Sequence, residues 1–201
     1  MMKLIAVGDI HLGRRPSRLP EELQDRAREL GPAGAWERLV EAAVQEGVNA
    51  VILAGDVVER EKDFFEAYRE LYRGIERLTN AGIQVLGVSG NHDVLVLPRL
   101  ADHLSNFKLL GRSGKWEKIQ IKADKEIVTL WGWSFPQLRF TESPLSGIRF
   151  QRGTGLNLGV LHCDRDQPSS LYAPVTNQEL QAAGLDGWLL GHIHKPDDLN
   201  A

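Results

Sequence analysis

The chain has little cysteine and no long apolar segment. Its single cysteine, Cys163, excludes an intrachain disulfide and a zinc site built from several cysteines. Apolar runs such as residues 50–54 are far shorter than the about 20 residues that a membrane-spanning helix needs. No basic, apolar leader precedes the strand-like segment 3–7. We therefore expect a cytoplasmic protein without a membrane segment.

A strong charge of one sign is also missing. The 24 Lys and Arg residues nearly balance the 27 Asp and Glu residues, so the net charge of −3 gives no general attraction to nucleic acid. The net charge does not exclude a local basic surface around a site. With 201 residues, 42% of them hydrophobic, the chain can bury one substantial core, which excludes disorder and predicts a single domain over residues 1–201.

Short apolar runs alternate with helical patterns in the first half. Strands are predicted at 3–7, 49–54 and 83–88, with helices at 35–46 and 63–80. This alternation indicates βαβ units and a largely parallel sheet. The second half predicts an antiparallel part, with a hairpin at 118–122 and 126–131, strands at 156–161 and 187–190, and a short helix at 177–183.

Polar residues that bind metals follow the predicted strands. They are Asp9, His11, Asp56, Asn91, His92, Asp93, His162, His192 and His194. Because ligands collect at the carboxyl ends of strands in such sheets, we expect these residues to share one site. Mixed imidazole and carboxylate ligands suit Mn, Fe and Zn. The set is too large for one ion, and two ions about 4 Å apart that share a carboxylate can hydrolyse phosphate esters.

The order and spacing of these motifs point to a known family. The motifs are Gly8-Asp9-Ile10-His11, Gly55-Asp56, Gly90-Asn91-His92-Asp93, His162 and Gly191-His192-Ile193-His194. With them, residues 4–196 resemble the calcineurin-like metallophosphoesterases. Three further segments resemble the SbcD-type DNA-repair exonuclease branch, namely His11-Leu12-Gly13, Tyr172-Ala173-Pro174 and His192-Ile193-His194-Lys195-Pro196. The resemblance implies an α/β (α+β) sandwich of two mixed β-sheets flanked by helices, and a metal-dependent exonuclease or endonuclease with DNA as substrate.

The resemblance also implies a role for each motif residue. Asp9, His11 and His194 would hold the first divalent ion, and Asn91, His162 and His192 the second, with Asp56 bridging the two. Manganese is the expected ion, and iron and zinc are compatible with the same ligands. A water between the ions would attack phosphorus in line with the leaving oxygen.

Two residues of the third motif are implied to act on the substrate. His92 would donate a proton to the leaving oxygen, and Asp93 would orient His92. A second interpretation makes Asp93 a turn cap that accepts backbone N–H groups, and one carboxylate could do both jobs. We favour the orienting role.

Basic residues flank two of the motifs. Arg14, Arg15 and Arg18 follow the first motif, where they either contact substrate phosphates or belong to a solvated loop. Arg60 and Lys62 follow the second, where interleaved glutamates favour a solvated helix start.

Other candidate residues receive structural interpretations. His103 lies in a helical pattern distant from every motif, and we exclude it from the site. Cys163 is interpreted as a small buried residue rather than a thiolate ligand. The alternating aromatics Trp131, Trp133 and Phe135 are typical of a core face, although they could also stack on bases.

The chain departs from the family near its end. Members of the family continue with further strands after the last His pair, whereas this chain stops at Ala201. We therefore expect a domain without its final strands, either as a fragment or as a short member. SbcD-type nucleases also carry a capping domain and a segment that docks a coiled-coil ATPase, and these 201 residues contain neither. Whether the protein binds such an ATPase is therefore left open.

Two other functions stay open beside the nuclease. A phosphomonoesterase or nucleotide phosphatase would use the same dinuclear centre. A non-catalytic scaffold is the third alternative, and the complete ligand set argues against it.

Overall fold

Two four-stranded sheets pack face to face in the computed structural model, which describes residues 1–16 and 18–194. The first sheet contains β1 (Leu4–Val7), β2 (Ala50–Ala54), β3 (Gln84–Val88) and β4 (Phe107–Leu109) in that order. All the strand pairings in this sheet are parallel. The expectation that both sheets are mixed is therefore wrong for the first sheet. Every residue of β2 is buried, as is typical of a parallel strand covered on both faces.

The second sheet is mixed. Its strands are β5 (Glu117–Ala123), β6 (Glu126–Trp133), β7 (Leu156–His162) and β8 (Gly187–Gly191). The β5–β6 hairpin is antiparallel, whereas β6, β7 and β8 run parallel to one another. The antiparallel prediction is therefore right for the hairpin alone, because the long connections 134–155 and 163–186 return the chain to the starting edge before each next strand. Consequently β7 and β8 end on the same side.

Helices cover the outer faces of both sheets. They are α1 (Ala27–Leu30), α2 (Pro32–Glu46), α3 (Phe64–Asn80), α4 (Leu97–His103) and α5 (Asn177–Ala182), with 3-10 turns at Glu21–Arg26, Glu61–Asp63 and Arg112–Gly114. Helix α2 begins at Pro32, whose fixed φ suits a first helical position, and ends before Gly47, which adopts φ 60°. A capping box between Thr176 and Glu179 begins α5. Of the described helices, none has both the length and the apolar character that crossing a bilayer requires.

Three apolar clusters hold these layers together. Side chains such as Ile52 and Leu86 from the first sheet pack against Leu130 and Val160 from the second. Another cluster lies between the first sheet and helices α2, α3 and α4. The third covers the outer face of the second sheet. The resulting α-β-β-α layers confirm the predicted fold class.

The strand aromatics belong to the third cluster. Trp133 and Phe135 are each 2% exposed, and Trp131 is partly buried against the same cluster. The core interpretation of these aromatics is therefore confirmed. Phe135 also supports the neighbouring site, since its ring centroid lies 6.0 Å from that of His162.

Candidate metal centre

Strained turns carry the motif residues out of both sheets at one end of the sandwich. Asp9, His11, Asp56 and His192 adopt φ values of 57°, 54°, 48° and 101°. Left-handed conformations of non-glycine residues cost about 1–3 kcal/mol each and cluster at functional sites. Backbone hydrogen bonds from Asp9 to the Gly55 carbonyl (3.0 Å) and from His11 to the Asp56 carbonyl (2.9 Å) join the first two turns.

Three residues assigned to the first ion lie together. Asp9, His11 and His194 place one ligand atom each within 4.8 Å of the others. His194 Nε2 lies 3.3 Å from Asp9 Oδ1 and 3.3 Å from His11 Nε2. The side chain of His194 is 54% exposed, so this cluster opens to solvent.

A second cluster lies deeper and contains residues assigned to the second ion. His162 is fully buried, and its Nε2 lies 3.2 Å from Asp56 Oδ2 and 3.2 Å from His192 Nδ1. The other ring nitrogen of His162 donates a hydrogen bond to the Ala54 carbonyl at 3.0 Å. This bond leaves Nε2 as the atom of His162 that can bind an ion.

Asp56 lies between the two clusters. Its Oδ2 is 3.2 Å from His162 Nε2 and 4.0 Å from His11 Nε2, while Oδ1 accepts the His92 backbone N–H at 2.9 Å. Burial raises the pKa of Asp56, but the contact with His162 and the bond from His92 outweigh burial and hold that pKa below its usual value. The carboxylate therefore stays ionised, and its Oδ2 lies between the two clusters.

The donor set fits divalent metal ions. The side-chain oxygen of buried Asn91 has no hydrogen-bond partner among the described residues. Because buried polar groups are nearly always paired, an orphaned amide oxygen beside imidazoles and carboxylates suits a cation. Together these nitrogen and oxygen donors match the preferences of Mn, Fe and Zn.

The histidines have altered pKa values. Burial lowers the pKa of His11, and burial together with His162 lowers the pKa of His192. Both therefore favour the neutral imidazole, which is the form that binds metals. Burial also acts to lower the pKa of His162, but its hydrogen bond to Asp56 outweighs burial and raises it.

Gly90 allows the close approach of the ligand residues. A Cβ atom added there would lie 2.2 Å from Asp56 Oδ1 and 2.7 Å from His162 Cδ2. We expect Gly90→Ala to displace Asp56 and to weaken Mn²⁺ binding at least about tenfold, as measured by isothermal titration calorimetry. The control is Gly187→Ala, where the added Cβ would approach only Leu158 Cδ2, at 3.3 Å. An unchanged Mn²⁺ affinity of Gly90→Ala would contradict this packing argument.

The Asp93 carboxylate bonds backbone amides rather than the His92 ring. Its side chain is fully buried, Oδ1 accepts the Gly90 N–H at 2.8 Å, and Oδ2 accepts those of Val57 at 2.7 Å and Val58 at 3.4 Å. These bonds are those of a turn cap, and no bond to the His92 ring occurs within the described residues. Burial and the charge of Asp56 raise the pKa of Asp93 to about 7. Among the described residues Asp93 therefore serves as a turn cap, and the Glu59 carbonyl, rather than Asp93, holds the His92 ring.

Two carboxylates that sequence reasoning missed contact the candidate ligands. Glu59 Oε2 lies 2.9 Å from His11 Nδ1, and the Glu59 carbonyl accepts the His92 Nδ1–H at 3.2 Å. Asp164 Oδ2 lies 3.4 Å from His192 Nε2. Such partners orient imidazole ligands. The only sequence signal was their place in turns after β2 and β7, which many other acidic residues share.

The basic residues are distributed differently from the expectation. Arg14, Arg15 and Arg18 are exposed, and the first two line a separate cavity of about 370 Å³ that contains none of the candidate ligands. Arg60 and Arg139 instead line a cavity beside Asn91 and His92. The arginines that share a cavity with Asn91 and His92 therefore belong to other loops than the one predicted.

His103 and Cys163 lie where the sequence placed them. His103 is exposed at the end of α4 and belongs to none of the candidate metal groups among the described residues. Cys163 is 1% exposed, and burial raises the pKa of its thiol. The interpretation of Cys163 as a small buried residue is confirmed.

Comparison with known proteins identifies the family. The family model described as calcineurin-like phosphoesterase matches residues 2–196. The chain belongs to the calcineurin-like phosphoesterases. The family is one of phosphoesterases, which are hydrolases acting on phosphoester bonds, as the motifs predicted.

Relatives of this phosphoesterase occur in bacteria and archaea. It is 29% identical over 206 residues to the uncharacterized metallophosphoesterase YhaO of Bacillus subtilis, covering 100% of this chain and 50% of YhaO. It is 28% identical over 216 residues to the DNA double-strand break repair protein Mre11 of Aeropyrum pernix, and the match covers 98% of this chain and 50% of that protein. For Mre11 of Methanopyrus kandleri the identity is 30% over 215 residues, and the match covers 97% of this chain and 45% of that protein. The chain thus spans about half the length of these relatives.

A solved structure is also similar to this phosphoesterase. The crystal structure of Pseudomonas putida nuclease MPE aligns with a TM-score of 0.40 and 14% identity, covering 84% of this chain and 66% of the nuclease.

Proposed function

We propose that this phosphoesterase hydrolyses phosphodiester bonds of DNA as a metal-dependent nuclease of SbcD type, with a role in DNA repair. The observation that carries the proposal is the meeting of two His and Asp clusters at Asp56. The printed names of the Mre11 relatives and the SbcD-like motifs favour DNA over other phosphoesters.

The proposed centre holds two divalent ions, with Mn²⁺ expected. The first would be held by Asp9, His11 and His194, the second by Asn91, His162 and His192, and Asp56 would contact both. When bound, such ions polarise the phosphoryl group, neutralise its developing charge and lower the pKa of water. Glu59 and Asp164 lie 2.9 Å and 3.4 Å from the second ring nitrogens of His11 and His192, where they would orient the rings when the ions bind.

His92 is proposed to transfer the proton to the leaving oxygen. Its side chain is exposed, its Nδ1–H is held by the Glu59 carbonyl, and its backbone N–H is held by Asp56 Oδ1. Nε2 is therefore left to meet the substrate. Asp93 supports His92 indirectly, because it fixes the turn that carries both residues.

Degradation of end-labelled linear duplex DNA in the presence of Mn²⁺ tests the proposal. We expect cleavage that requires Mn²⁺ and is lost in a parallel preparation of His92→Ala, which excludes a contaminating nuclease. Survival of the DNA while an aryl phosphate ester is hydrolysed would refute the nuclease and leave the phosphoesterase in place.

A phosphomonoesterase or nucleotide phosphatase is the second candidate. The cavity beside His92 is about 310 Å³, at the small end of ligand pockets and suited to a single nucleotide. Faster release of terminal phosphate from nucleotides than cleavage of diesters would favour this candidate.

A further inference from the structure

The cavity beside His92 is bounded by residues from four loops. Its volume is about 310 Å³, and its walls include Arg60, Leu95, Leu138, Arg139 and Tyr172. We call it the Arg60–Arg139 cavity. It adjoins the candidate metal centre through the candidate ligand Asn91 and through His92, and none of its other wall residues is a candidate metal ligand.

Two arginines supply positive charge to the Arg60–Arg139 cavity. Arg139 is exposed and forms no ion pair with any of the residues that the structure describes, and the Arg60 guanidinium is 3.7 Å from Glu59 Oε1. Of the acidic neighbours, Glu61 pairs with Arg99 at 2.8 Å, and Glu59 divides its carboxylate between Arg60 and His11, which Oε2 contacts at 2.9 Å. Two guanidinium groups so placed favour a phosphate ligand.

Apolar surface lies beside these cations. Leu95 and Leu138 are 52% and 55% exposed, which is unusual for side chains that face one cavity. The Tyr172 ring packs against His192 with centroids 5.3 Å apart. A ligand that fits this surface therefore combines an anionic group with a flat apolar part, as a nucleotide does.

Backbone hydrogen bonds fix the walls of the cavity. Phe140 donates to the Leu171 carbonyl at 2.9 Å, and Ala173 donates to the Phe140 carbonyl at 2.6 Å, which joins the loops that carry Arg139 and Tyr172. On the other side, Asp63 donates to the Arg60 carbonyl at 3.0 Å. A preformed pocket loses less freedom when a ligand binds.

We propose that the Arg60–Arg139 cavity binds the leaving nucleotide of a DNA strand. The inference rests on the proposed function, because His92 can protonate the leaving oxygen only if the leaving group lies on its side of the centre. Arg60 and Arg139 contact the phosphate that follows the scissile one, and the sugar and base contact Leu95, Leu138 and Tyr172.

The test compares a substrate that fills the cavity with one that does not. The first is a short single-stranded oligodeoxynucleotide. The second is bis(p-nitrophenyl) phosphate, whose leaving group has no further phosphate. For Arg139→Gln and Arg60→Gln we expect the ratio of the oligonucleotide KM to the aryl diester KM to rise about tenfold, with kcat for the oligonucleotide changing little. Each variant should also reduce the salt dependence of the oligonucleotide KM by about one phosphate contact.

The matched control is Arg149→Gln. Arg149 is exposed in the same connection between β6 and β7 but does not line the cavity. Its KM ratio should equal that of the wild type. If the wild type cleaves both substrates and the ratio stays within twofold in both cavity variants, the cavity proposal alone is overturned. If the wild type cleaves the aryl diester but not the oligonucleotide, the nuclease proposal fails and the cavity proposal fails with it.

Discussion

Asp56→Asn is expected to weaken the binding of both metal ions at once. The two side chains have nearly equal volume, but the amide removes the charge from the oxygen that lies 3.2 Å from His162 Nε2 and 4.0 Å from His11 Nε2. We expect Mn²⁺ affinity to fall about 100-fold at both sites, and turnover of any phosphoester at limiting Mn²⁺ to fall at least as far. Titration of the metal-free protein by calorimetry measures both affinities.

The chain offers a closely matched control for this change. Asp124 is an exposed aspartate in the β5–β6 turn with φ 51°, close to the 48° of Asp56, so Asp124→Asn makes the same substitution at a similar φ. Its metal binding should be that of the wild type. If Asp56→Asn retains one Mn²⁺ with undiminished affinity, Asp56 does not lie between two ions.

For His92→Ala, in contrast to Asp56→Asn, we expect that metal binding is retained and that turnover is lost. The side chain is exposed and is assigned no ion, so the fold and both Mn²⁺ affinities should stay within twofold. Loss of proton transfer should reduce kcat by about 100-fold or more on DNA, whose leaving alkoxide needs a proton. The loss should be much smaller for an aryl ester, since a phenolate leaves without one.

Metal content decides between this role and a ligand role for His92. His92 has a ring nitrogen within 4.8 Å of ligand atoms of His11 and Asp56, close enough to share an ion with them. Loss of Mn²⁺ from His92→Ala would therefore make His92 a ligand and refute the proton-transfer role. His103→Ala, at an exposed position on α4, controls for removal of an imidazole elsewhere.

Sequence patterns predicted the long elements of the fold and missed the short elements β4 and α1. Helix α3 and strands β2 and β3 have strong periodicity or continuous apolar character, and their predicted bounds lie within one residue of the observed ones. Strand β4 has three residues and α1 has four, too few for a period to emerge. The direction of β7 and β8 also escaped prediction, because long connections allow either direction.

The candidate site was predictable to the extent that it follows strand ends. Turns after β1, β2, β3, β7 and β8 deliver the candidate ligands, and that placement is a local property of the sequence. The contact between Glu59 and His11 and the approach of Arg139 to His92 depend on how distant loops meet. The cap role of Asp93 depends on backbone amides of another turn, which no local pattern reveals.

The candidate ligands are divided between the two sheets of the sandwich. Asp9, His11, Asp56 and Asn91 follow strands of the first sheet, whereas the three remaining histidines, His162, His192 and His194, follow strands of the second. Each proposed ion takes donors from both sheets, so the pair of ions would act as cross-links across the interface between them. Metal occupancy and closure of this end of the interface would then be thermodynamically coupled. A molecule whose sheets part here would lose its catalytic centre before it lost its secondary structure.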